Sequence, residues 1–131
     1  MPVVSTSAQS MKACNRPEWS QVTAAGIFRV KADGNATFDC HFHDCHEYWL
    51  VFRGRAKIAT EGLDYYVKPG DIVCTKAGEE HDMLEVYDDF EAFYFEDGTA
   101  PGGRTGHLHK SADKAQGHLV PVGPLPEDFP T

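Results

Sequence analysis

The sequence predicts an all-β fold, a single small barrel or sandwich of short strands. From about Trp19 to Glu96, short apolar runs rich in Val, Ile, Phe, Tyr and Thr alternate with turn residues. No long segment repeats at helical spacing. The breaks between the runs carry residues with a mechanical reason to turn. Asp33-Gly34-Asn35 and Glu61-Gly62 supply positions that tolerate positive φ.

In chain order the expected strands are Gly26–Lys31, Thr37–His43, Glu47–Arg53, Arg55–Thr60, Leu63–Val67, Asp71–Thr75, Met83–Tyr87 and Glu91–Glu96. Pro69-Gly70-Asp71 removes a backbone donor and then permits a sharp reversal, and Asp88-Asp89 is a further turn. Residues 1–18 are polar and irregular and read as an arm that orders only by packing on something. Residues 19–96 form the barrel. Residues 97–131 hold Pro101, Pro121, Pro124, Pro126 and Pro130, which exclude a central strand or a long helix. That tail reads as an extended segment on the barrel or on a partner, with a lid or a swapped arm as the functional alternative.

The chain has 131 residues, enough for one core, and a formal charge of −8 from 12 basic and 20 acidic residues. With no basic stripe, it is not expected to bind nucleic acid. It lacks an apolar stretch long enough to span a bilayer and a signal-like start, so no membrane partner and a cytoplasmic location are expected. Cys14, Cys40, Cys45 and Cys74 read as reduced thiols, Cys40 and Cys45 as packing residues beside histidines and Cys74 as core.

The densest chemical signal is Cys40-His41-Phe42-His43-Asp44-Cys45-His46-Glu47. In a strand, His41 and His43 project to one side. A turn over Asp44 to His46 then brings Glu47 beside them. Two imidazoles and a carboxylate suit a borderline divalent ion among Mn, Fe, Co, Ni, Cu and Zn. His46 is an alternative to His43 if the turn is built differently, and otherwise a turn residue. Further on, Gly78 lets the chain bend tightly before His81.

Together the two segments resemble the paired motifs of the cupin superfamily. His41-x-His43-x3-Glu47-x6-Gly54 matches the first motif from its first histidine onward. Gly70-x5-Lys76-x-Gly78-x2-His81-x3-Glu85 keeps every interval of the second. Gly34 lies one residue too far from His41, Lys76 stands at the proline position, and Glu85 at the asparagine position. The resemblance implies a jelly-roll barrel with one divalent transition metal (Fe, Mn, Ni or Zn) held by His41, His43, Glu47 and His81. One or two coordination positions would stay open for water, substrate or dioxygen.

The resemblance further implies a metal-dependent enzyme on a small polar molecule, by isomerisation or epimerisation, or by Fe(II)-dependent oxygen chemistry. Glu47 and Glu85 are the expected acid/base residues, and Trp49, Tyr66 and Arg53 the expected substrate contacts, with Tyr94 and Arg29 as further candidates. The alternative is a non-catalytic barrel that binds or senses a sugar-type ligand. A homodimer is expected on the same resemblance, with Phe42, Tyr48 and Phe52 off the ligand face. The acidic run from Glu79 to Asp97 reads as a solvated outer face. His107-Leu108-His109 repeats the His-x-His spacing but, lacking a nearby carboxylate, reads as a feature of the tail.

Overall fold

Apolar residues that alternate along strands bury one face of each, so two sheets of this chain close over a common interior. The computed structural model describes residues 3–98 and 106–130. Its strands are β1 (Val22–Val30), β2 (Thr37–Phe38), β3 (His46–Arg53), β4 (Ala56–Thr60), β5 (Leu63–Val67), β6 (Ile72–Thr75), β7 (His81–Val86), β8 (Phe90–Asp97) and β9 (His118–Leu119). One short helix, α1 (Ala112–Gln116), precedes β9. The larger sheet runs β1-β8-β3-β6, the facing sheet β5-β4-β7, and β2 pairs with β9; every one of these strand pairs is antiparallel. The all-β class stands.

Inward-facing residues of both sheets, among them Val51, Ile58, Met83, Val86 and Phe90, form one apolar core. It fills one end of the interior, and Trp49 and Phe28 carry it toward the histidines at the other.

Three expectations need correction. The segment Thr37–His43 is not one strand: β2 ends at Phe38, and His41 and Phe42 make only isolated bridges, to His81 and Leu108. Two different partners in succession pull the segment out of a single ladder. Cys74 is exposed rather than core, because strand alternation turns its neighbours Val73 and Thr75 inward. The acidic run is not wholly a solvated face, since Glu96 is fully buried.

Within the tail, residues 99–105 and 131 lie outside the described residues. The part from 106 onward is woven into the barrel. Val120 is fully buried in the core, and its N–H donates to the Ala36 carbonyl at 2.8 Å. Pro121 accepts from the Val86 amide at 3.1 Å. At the other end of the chain, Met11 exchanges two backbone hydrogen bonds with Ala25 on β1. Among the described residues no helix is long and apolar enough to cross a membrane.

Gly54, where the first motif ends, turns β3 into β4 with φ at +78°, and a Cβ built there would sit 2.1 Å from the Asp89 carbonyl oxygen. Both the left-handed backbone and the close approach exclude other residues. Gly54→Ala is expected to destabilise the fold by on the order of 3 kcal/mol. Gly62→Ala, at a similar φ of +77° but with nothing within 4 Å, should cost only about 1 kcal/mol. Thermal denaturation of the two variants separates the clash from the backbone strain.

Candidate metal centre

Local backbone pairing brings the four expected ligands together. The amide of His81 donates to the His41 carbonyl at 2.9 Å and that of His41 returns the bond at 3.2 Å, clamping the two motifs side by side. The Gly78 amide donates to the His43 carbonyl at 2.9 Å. Gly78 has φ +86°, which carries the loop back across His43 before β7 starts at His81. His46 accepts from the Ala77 amide at 2.9 Å and serves the turn.

The result is a buried cluster of His41, His43, Glu47 and His81 whose ligand atoms all lie within 4.8 Å of one another. The Nε2 atoms of His41 and His81 are 2.8 Å apart. Glu47 Oε2 lies 3.2 Å from His43 Nε2, and Oε1 lies 3.4 Å from His81 Nε2. Metal–nitrogen bonds of about 2.0–2.1 Å place neighbouring donor atoms roughly 3 Å apart, so the spacing fits one ion. The donor set, three imidazoles and a carboxylate, fits a borderline divalent metal.

Protonation states fit as well. Burial pushes His41 down to about 4 and His81 down to about 3, leaving both imidazoles neutral at ordinary pH. Burial alone would keep Glu47 protonated, but its polar neighbours His43, Glu96 and His81 hold its carboxyl far below the usual range. His41 Nδ1 donates to the Asp39 carbonyl at 2.5 Å, and His43 Nδ1 to the Gly106 carbonyl at 3.1 Å. Each bond sets the tautomer that leaves Nε2 with a lone pair. Trp49 Nε1 donates to Glu47 Oε1 at 2.8 Å, orienting the carboxylate from beneath. Burial raises the thiols of Cys40 to about 11 and Cys45 to about 12, so neither offers a thiolate.

A cavity of about 330 Å³ opens over the cluster, with Phe28, Phe38, Trp49 and Tyr94 on its walls and Asp39 and His107 at the polar side. Of the residues expected to contact substrate, Trp49 and the further candidates Tyr94 and Arg29 line this cavity. Tyr66 is elsewhere, its hydroxyl donating to Asp128 at 3.0 Å. Arg53 pairs with Glu91 at 3.4 Å on the opposite side of the sheet from the buried Trp49 and Val51 ladder. The local irregularity between Val51 and Arg53 breaks the alternation that was expected to keep Arg53 on Glu47's face. Glu85 does not line the cavity either; it accepts from the Tyr87 hydroxyl at 2.8 Å.

Two contributors were not anticipated. Glu96 is paired with Glu47 in the β3–β8 register and buried beside it, with the Cys45 thiol donating to its carboxylate at 3.7 Å. Its position on the Tyr94 face of β8 was the available signal. The tail is the other: Gly106 holds His43, and His107 stacks on His41 with ring centroids 3.6 Å apart and planes 6° off parallel. Asp39, distant in sequence, supplies a carboxylate to both His107 and His109.

The cupin domain model matches residues 28–95, the stretch that runs from β1 through both motifs to β8. The chain belongs to the cupin family. A Sinorhizobium fredii protein, described as uncharacterized protein y4oW, is 36% identical over 74 residues, covering 56% of this chain and 34% of its own. This cupin therefore spans about a third of that relative's length. Among solved structures it is similar to a double-stranded β-helix protein from Klebsiella pneumoniae, with a TM-score of 0.56 and 17% identity over 84% of this chain and 99% of that one. A cupin 2 barrel protein from Rhodopseudomonas palustris gives 0.54 at 12% identity, covering 82% and 80%. The DMSP lyase DddQ from Ruegeria pomeroyi gives 0.54 at 24%, covering 66% and 43%. At these identities the likeness is one of fold: the double-stranded β-helix of the cupins.

Two outcomes follow from the cluster's geometry. Trp49→Phe keeps the ring but removes the donor to Glu47, and should weaken divalent-metal binding by about tenfold or more, measured by competition with a chromophoric chelator. The second concerns the metal-free protein. Because His41 and His81 titrate below the unfolded value of about 6.5, the unfolded chain binds protons first as pH falls. Stability from these groups is present above pH 6.5 and is lost as the pH falls toward 4 for His41 and toward 3 for His81. Melting curves across that range should show the loss, and His41→Asn should flatten it.

Proposed function

We propose that this cupin is a metal-dependent enzyme acting on a small polar molecule, and that its reaction is a proton-moving isomerisation or epimerisation. The observation that carries this reading is the placement of four converging buried donors at the floor of an open cavity of about 330 Å³. That volume is at the small end for ligand sites. His41, His43, Glu47 and His81 would hold the ion. A divalent metal there supplies Lewis-acid polarisation of a carbonyl, enediol or carboxylate oxygen.

The chain's own residues account for the rest. Phe28, Phe38 and Trp49 give the cavity apolar walls that exclude water from one side of a bound molecule. Tyr94 brings a phenolic oxygen that can donate to or accept from a substrate hydroxyl. Its ring lies across Gly26, where an added Cβ would meet the Tyr94 hydroxyl at 2.7 Å. Glu47, a carboxylate shared between two imidazoles, can take and return a proton at its oxygens. His107 places an imidazole ring at the cavity's polar side. This concentration of proton carriers favours isomerisation or epimerisation over Fe(II) oxygen chemistry. Glu85 has no part in this scheme.

A non-catalytic, sugar-type binding barrel is the second reading, favoured by the aromatic walls, which suit stacking against a sugar ring. We also propose that the protein is a homodimer, on the family resemblance.

The deciding experiment is elemental analysis of tag-free protein purified without chelator, beside a His41→Ala, His81→Ala double variant. Near-stoichiometric metal in the parent, lost in a folded variant, supports the site. Turnover of small aldoses, ketoses or hydroxy acids that falls at least a hundredfold in Glu47→Gln supports the enzyme. A folded parent that takes up no Fe, Mn, Ni or Zn on reconstitution overturns the metal assignment.

A further inference from the structure

Two buried hydroxyls lie where the alternation of their strands calls for apolar side chains. On β4, Ala56 and Ile58 face the core and Thr60 continues their face; on β6, Val73 faces it and Thr75 follows. Both threonines are 5% exposed, and their Oγ1 atoms are 2.7 Å apart. Because β4 belongs to one sheet and β6 to the other, this hydrogen bond ties the two sheets together.

The tie lies beside the metal-type cluster. Thr60 is the register partner of His81 across β4–β7, and Thr75 that of Glu47 across β3–β6. Directly opposed residues of an antiparallel pair set their side chains next to one another on one face. The hydroxyl pair therefore joins the strand neighbours of two expected ligands that stand on opposite sheets. His81 also differs from the other histidines at its second nitrogen. His41 and His43 give Nδ1 to the carbonyls of Asp39 and Gly106, whereas the buried Nδ1 of His81 has no hydrogen-bond partner among the described residues. A hydroxyl oxygen has two lone pairs, so Thr60 keeps acceptor capacity beyond its bond with Thr75, and strand pairing sets it beside that ring.

We propose that Thr60 and Thr75 are positioning residues of the metal centre, a role that rests on the metal-dependent reading above. They hold His81 and Glu47, one from each sheet, at the separation a single ion requires, and Thr60 serves as the acceptor for His81 Nδ1. Packing alone gives no reason for the hydroxyls. Valine has the shape of threonine, and replacing both partners of a buried hydrogen bond by apolar groups of the same shape leaves stability nearly unchanged or raises it. Losing the outer partner of a metal ligand, by contrast, lowers metal affinity by about ten- to a hundredfold.

The test is competition between the metal-stripped full chain and a chromophoric chelator for Co(II), read together with the visible Co(II) spectrum and thermal denaturation. The parent should bind one equivalent. A Thr60→Val, Thr75→Val double variant should melt close to the parent, bind Co(II) about tenfold more weakly or worse, and show an altered visible spectrum. Thr60→Ser, which keeps the hydroxyl, should retain the parent's affinity and spectrum. Thr60→Val alone should show the same loss, and serves if the double variant does not fold. A folded double variant with the parent's affinity and spectrum overturns the proposal and leaves the metal reading intact. So does a Thr60→Ser protein that binds as weakly as Thr60→Val, since the methyl group rather than the hydroxyl would then matter. A parent that binds no Co(II) overturns the metal reading itself, and this role with it.

Discussion

A carboxylate buried among three imidazoles is the constraint on which this molecule's organisation rests. Removing Glu47 from water costs several kcal/mol unless its charge is met by donors or by a cation. The fold aims the Trp49 N–H at it from below and sets His43 and His81 at its sides and Glu96 across the sheet, an arrangement that a bound cation would complete. Every one of these is fixed by strand register. Glu47 faces Glu96 because β3 pairs with β8, and His81 reaches Glu47 because β7 begins where the His41 bridge holds it. A slip of one residue in either ladder would turn the carboxylate outward and leave the histidines facing a gap.

The same need explains why the tail is part of the barrel. A metal-binding histidine is oriented by the partner of its other ring nitrogen. His43 has its partner in Gly106, nearly the whole length of the barrel away in sequence. The strap that delivers this carbonyl is anchored further on by Val120 in the core and by Phe129, which packs against Tyr66 and Tyr87. Long-range anchoring by apolar residues thus secures a short-range polar contact at the site.

Much of the site was legible from spacing. His41, His43, Glu47 and His81 stand at intervals that strand geometry and one tight turn convert into a cluster, and Gly54 and Gly78 mark where the backbone must turn left-handed. Trp49 follows from alternation with Glu47. The residues that were misplaced share a cause: their location depends on which strand lies next to which. Arg53 sits past an irregularity in β3, Glu85 on a strand whose bulge redirects it, and Tyr66 over a different hollow lined by β5 and β6. His107 and His109 look like a tail feature in the sequence because their carboxylate, Asp39, is distant from them along the chain.

The sequence by itself determined the all-β class, the turns and which residues make up the buried His/Glu cluster. Those depend on local rules of alternation, positive φ and ligand type, each acting over a few residues. Only the tertiary structure decided which second carboxylate lies beside Glu47, which carbonyls hold His41 and His43, and that Asp39 meets the His-x-His of the tail. Such contacts come from sheet pairing and loop closure over many residues, and no local pattern encodes the partner across that distance.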